Sequence, residues 1–132
     1  MKPVNGSNDA RVYIGRWLAE PNQELETRWN QLMAYLEALL GRRPADIEQV
    51  LFLIGIQERG RGYEPGLSRE QKQELIMEGA RYAFATIGLY RRVSDHPVTW
   101  EPAFSPWPKL SREDQEKLLR IAILEYFKPL LS

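Results

Sequence analysis

Val50-Leu51-Phe52-Leu53-Ile54-Gly55-Ile56 decides the fold: seven apolar residues in unbroken succession, six of them bulky, in a chain whose other apolar residues recur at amphipathic spacing. Just before the run, Asp46 and Gln49 form a capping-box pattern, in which a carboxylate accepts from free backbone N–H groups and an amide reaches back. Just after it, Gln57-Glu58-Arg59 is polar and Gly60 offers a left-handed helix end. A buried strand can also be apolar throughout, yet the cap and the distance from Asp46 to Gly60 favour a helix. Being apolar nearly all round, this helix (about 46–59) is expected to be buried on several sides, at the centre of the molecule. Gly55 carries no side chain, so a neighbouring backbone is expected to approach closely there.

Toward the N-terminus, Leu25, Trp29, Leu32, Met33, Leu36, Leu39 and Leu40 recur at helical spacing after Pro21-Asn22, and Gly41 and Pro44 end that helix. Ala10 to Glu20 offers Val12, Tyr13, Ile14, Trp17 and Leu18 without a clean period, which fits a short helix or a docking arm. Residues 1–9 are polar and turn-forming and read as a mobile tail, leaving residues 10–132 as a single helical domain. Toward the C-terminus, the Gly60–Gly66 loop leads to a second capping box, Ser68 with Gln71, and a helix that Gly88 ends. Pro97, Pro102, Pro106 and Pro108 then exclude a regular helix from about 89 to 110. Tyr90–Val93 and Val98–Trp100 flank Ser94-Asp95-His96-Pro97 as a short hairpin, followed by an aromatic-anchored loop over the core. Ser111 with Asp114 caps a last helix that Pro129 is expected to stop. The fold class expected is all-α: a compact four-to-five-helix orthogonal or bundle-like domain around the helix at 46–59, with a Pro/Trp-rich crossover.

A length of 132 residues with 43% apolar content suits one core and one domain. Lys and Arg number 18 against 18 Asp and Glu, so no global field draws the chain to nucleic acid or an anionic membrane. The absence of cysteine excludes disulfides, thiolate nucleophiles and cysteine metal sites, and leaves the cytoplasm as the expected location. The opening residues are broken by Pro3, Asn5, Gly6 and Asp9 and are not expected to act as a signal peptide. The apolar run is far shorter than the roughly 18 residues needed to cross a bilayer, so no membrane partner is expected.

No zincin, nucleophile-elbow, P-loop, EF-hand or dinucleotide motif is present. No catalytic residue, metal ligand set or cofactor is therefore expected. The binding candidates are Gln57, Glu58, Arg59, Arg61 and Tyr63, where the apolar helix emerges into a glycine-rich loop, together with Arg91, Arg92 and Trp100. Arginines grip carboxylates and phosphates, and glycines let backbone approach a ligand. His96 has no second histidine or cysteine at ligand spacing and reads as a turn residue. Glu70, Glu74 and Glu78 read as a solvated helix face, as do the Glu113–Lys117 and Glu116–Arg120 pairs.

Leu53-Ile54-Gly55-Ile56-Gln57-Glu58-Arg59-Gly60, with the capped helix and crossover that follow, resembles a group of small all-helical bacterial proteins sharing an LIG-x-QE-x-G core. The resemblance covers roughly residues 25–128. It implies a single-domain family and carries no activity or site residue to this chain.

The function expected is a non-catalytic cytoplasmic interaction or adaptor module with a protein partner, acting as a monomer or weak dimer. Two alternatives stand beside it. One is nucleic-acid binding through Arg42, Arg43, Arg59, Arg61, Arg91 and Arg92, which requires these to converge on one face. The other is a small-molecule or enzymatic site around Glu58, Arg59 and Tyr63.

Overall fold

The computed structural model describes residues 6–62 and 64–131. Five helices and one hairpin follow in order: α1 (Gly6–Leu18), α2 (Asn22–Leu40), α3 (Ile47–Arg59), α4 (Arg69–Thr86), β1 (Tyr90–Asp95), β2 (Val98–Pro102) and α5 (Arg112–Leu131). The fold is thus mostly helical without being strictly all-α. The segment expected as a tail falls partly in α1, which begins at Gly6; residues 1–5 lie outside the described residues.

The local signals act as their chemistry dictates. Asp46 Oδ1 accepts from the Gln49 amide at 2.9 Å, while the Gln49 side chain takes the Ala45 N–H at 2.8 Å. Ser68 and Gln71 close a reciprocal box with bonds of 3.1 and 2.8 Å. Ser111 Oγ receives the Asp114 N–H at 3.1 Å and opens α5. Gly41 and Gly60 end α2 and α3 at φ of 82° and 74°, a region that side chains avoid. The final helix departs from expectation: Pro129 lies inside α5, which continues to Leu131. A proline lacks only its own N–H and crowds the turn before it, and so close to the end of a helix there is little left to break.

The centre of the molecule also differs from the sequence expectation. α5, not α3, contributes the most residues to the core, with Leu118, Ile121, Ala122, Ile123, Leu124 and Phe127 buried. It packs against α1, α2, α3 and α4. α3 buries Val50, Leu51, Ile54 and Gly55 and leaves Phe52, Leu53 and Ile56 half-buried. An uninterrupted apolar run suggests burial all round, but α3 has a close neighbour on one side only, namely α4.

That α3–α4 contact is unusually close because two glycines permit it. A Cβ at Gly55 would lie 2.2 Å from the Leu75 carbonyl oxygen, and one at Gly79 would lie 2.0 Å from the Leu51 carbonyl oxygen. The two helices therefore meet backbone to backbone, antiparallel, as the sequence expectation for Gly55 holds.

α1 is attached by polar contacts as well as by buried Ala10 and Ile14. The Tyr13 hydroxyl donates to the Ile87 carbonyl at 2.5 Å, and Lys117 Nζ donates to the carbonyls of Leu18 and Glu20 at 2.8 and 2.7 Å. Lys117 thus neutralises the C-terminal end of α1 and does not form the surface pair expected with Glu113; Arg120 does pair with Glu116, at 3.6 Å. The proline-rich segment lies over the core through aromatic contacts: Phe104 on Tyr13 at 5.6 Å, and Trp107 on Phe84 at 6.3 Å and on Tyr90 at 5.6 Å between ring centres.

Candidate functional site

The half-buried side of α3 forms the wall of a concave surface. At about 100° per residue, Val50, Leu51, Ile54 and Gly55 occupy one arc of the helix, while Phe52, Leu53 and Ile56 occupy the opposite arc. The first arc meets α4 and α5. The second faces an open groove of about 780 Å³, closed on its other sides by Leu40, Pro44 and Ile76. Its rim is charged, with Arg42, Asp46 and Glu48 near the start of α3 and Lys72 on α4. Glu48, Lys72 and Arg42 form no ion pair among the described residues. The C-terminal end of α2 extends the apolar surface, since Leu39 is 66% and Leu40 45% exposed.

Among the described sequence-derived candidates, Arg42 alone lines this groove. Three of them instead meet on another face, where the end of α3, the middle of α4, the hairpin and the end of α5 converge. The Tyr126 hydroxyl donates to Glu58, the Arg92 guanidinium donates to the Tyr82 hydroxyl, and Trp100 Nε1 donates to Glu78 Oε2 at 3.2 Å. Arg92 also lies over the Tyr82 ring at 5.1 Å and the Trp100 ring at 5.3 Å, with those rings edge to face at 4.8 Å. Glu78 receives Arg81 at 2.9 Å, and Arg92 reaches Asp95 at 3.2 Å. Glu58, Arg92 and Trp100 are thereby drawn together by Tyr82, Glu78 and Tyr126.

Electrostatics in this cluster follow from burial. The Tyr126 phenol is pushed well above its ordinary value, first by burial and then by its hydrogen bond to Glu58 and that carboxylate's charge. Tyr82 is also raised: burial is the largest cause, Arg92 opposes it, and Glu58 and Glu78 add to it. Both phenols stay protonated, with the Tyr126 hydroxyl donating to Glu58 and the Tyr82 hydroxyl accepting from Arg92. Each charged or polar group named here has its partner inside the cluster, so the arrangement acts as a clamp joining the hairpin and α5 to the α3–α4 pair.

The remaining candidates lie apart from it. Gln57, Arg59 and Arg61 are exposed and make no hydrogen bond or ion pair with the described residues; Tyr63 lies outside the described residues. Arg91 pairs with Glu101 across the hairpin, and His96 is exposed in its turn. The six arginines do not gather. Arg42 and Arg43 precede α3 and Arg59 and Arg61 lie at its far end, separated by a helix of about 18 Å, while Arg91 and Arg92 are tied to acidic partners. Among the described residues no group of three or more His, Cys, Asp or Glu side chains is placed to hold a metal ion, and no helix is long and apolar enough to cross a membrane.

Sequence reasoning passed over the groove because Phe52, Leu53 and Ile56 read as core. The available signal was Gly55. It marks the arc that touches another backbone, so the opposite arc of the same run is the one that can stay uncovered. Compared with protein-family models, curated proteins and solved structures, the chain matches none.

Proposed function

We propose that this protein is a non-catalytic cytoplasmic interaction module that receives an amphipathic helix in the groove along α3. The supporting observation is the outward arc of Phe52, Leu53 and Ile56, which together with Leu40, Pro44 and Ile76 forms an apolar floor about 780 Å³ in extent, with charge only at the rim. An open apolar floor fits the apolar stripe of a helix, read as anchors at i, i+3 or i+4, and i+7. These side chains are half-buried and leave apolar surface open on a rigid helix, and contiguous apolar surface of this kind marks interaction sites.

The test is a selection of displayed amphipathic helices against the folded protein, with counter-selection against Phe52→Lys. Enriched sequences with an apolar i, i+3/i+4, i+7 stripe that bind the parent and not the variant support the reading. Failure to enrich any helix, or enriched helices that bind both proteins equally, overturns it.

A further inference from the structure

Resting on that reading of the groove, we infer that its occupant is a second copy of this chain, docked antiparallel about a two-fold axis near Phe52. The inference comes from where the rim charges sit. Gly55 abuts Leu75 and Gly79 abuts Leu51, which places each residue of α4 level with the α3 residue whose number sums with it to about 130. Lys72 is accordingly level with Glu58, about 9 Å beyond Phe52 along α3, whereas Asp46 lies about 9 Å before Phe52. The groove thus has an acidic end and a basic end at equal distances from its apolar middle.

A two-fold axis perpendicular to α3 exchanges those ends. It sets Asp46 and Glu48 of one copy against the second copy's Lys72, twice, while Phe52 and Leu53 meet their own equivalents at the axis and Ile56, about 6 Å beyond it, flanks them. An isologous interface requires this self-complementarity, and few surfaces have it by accident. Arg42 also sits at the acidic end, which leaves that end at a net −1 against +1 at Lys72, where the neighbouring exposed Glu58 and Arg59 offset each other. Parallel docking would instead bring like ends together. Eleven residues line the groove, fewer than the roughly 20–30 a side of a standard interface, so the dimer is expected to be weak and reversible.

Sedimentation equilibrium from about 1 µM to about 1 mM protein tests this, at low and at high salt. The parent chain is expected to associate to a dimer, more tightly at low salt. Glu48→Lys and Lys72→Glu are each expected to weaken association about tenfold, since each substitution alters two symmetric charge pairs. An equimolar mixture of those two variants restores both pairs and is expected to regain parental affinity as a heterodimer. Leu53→Asp is expected to be monomeric throughout, with circular dichroism confirming that it is folded. A parent chain that stays monomeric overturns the inference, as does a dimer insensitive to Leu53→Asp or a mixture no tighter than its components. A monomeric parent that still selects groove-binding helices sinks the second-copy occupant alone; a monomer that selects none sinks the groove reading as well.

Discussion

Gly55→Ala adds a single methyl group where the structure has no space for it. That carbon would sit 2.2 Å from the Leu75 carbonyl oxygen, more than an ångström inside ordinary contact at 3.4 Å, and 2.9 Å from its carbonyl carbon. Both atoms are backbone, so no side-chain rotation relieves the overlap and α3 must move away from α4. The displacement loosens the packing of Leu51, Ile54, Leu75 and Ala83, all buried. Overpacking of this kind costs about 1–3 kcal/mol and more when backbone must shift, against a gain of about 1 kcal/mol for replacing glycine by alanine within a helix. A net loss of about 2 kcal/mol is expected, or about 8 °C in Tm for a chain of this size. Gly15→Ala is the matched control: Gly15 lies within α1 with nothing within 4 Å of the added carbon, so the same chemical change should stabilise by about 0.5–1 kcal/mol. Urea unfolding with thermal melts measures both. Equal effects of the two substitutions, or a Gly55→Ala protein as stable as the parent, would refute the backbone contact between α3 and α4.

Two further expectations follow from other contacts. Lys117→Met removes the ammonium bound to the carbonyls of Leu18 and Glu20, and should cost about 1–2 kcal/mol while raising amide exchange selectively across residues 6–18. The raised Tyr126 phenol sets an alkaline limit. A folded-state value above that of the unfolded chain means that the native state holds its proton longer, so this stabilisation is complete below about pH 10 and declines as pH rises toward the folded value. Urea unfolding at a series of alkaline pH values should show that decline, shallower in Tyr126→Phe.

Legibility in the sequence depended on the range of the interaction. The caps at Asp46 and Ser68, the left-handed ends at Gly41 and Gly60 and the hairpin around His96-Pro97 are local, and each lies where its residues indicate. The choice of central helix is not local. α5 carries Glu116, Lys117, Arg120 and Glu125 among its core residues and therefore looks less buried than α3, yet those charged groups reach outward or to α1 and α2: Arg28 bridges Glu125 at 2.8 Å. α3 looks more central because its outward arc is also apolar. The clamp was half visible, since Glu58, Arg92 and Trp100 stood out as chemically unusual, but Tyr126 lies 68 residues from the Glu58 it binds. Nothing in the intervening sequence marks that pairing.

α3 has two apolar arcs with different purposes, and urea unfolding of Leu53→Ser and Ile54→Ser compares them at adjacent positions. Ile54 is fully buried and Leu53 half-buried at the groove. The expected result is a loss of about 3–4 kcal/mol or more for Ile54→Ser and under about 1 kcal/mol for Leu53→Ser, measured at concentrations where the parent is monomeric. Equal and large losses at both positions would contradict it, because the outward arc would then belong to the core and leave no surface for a partner.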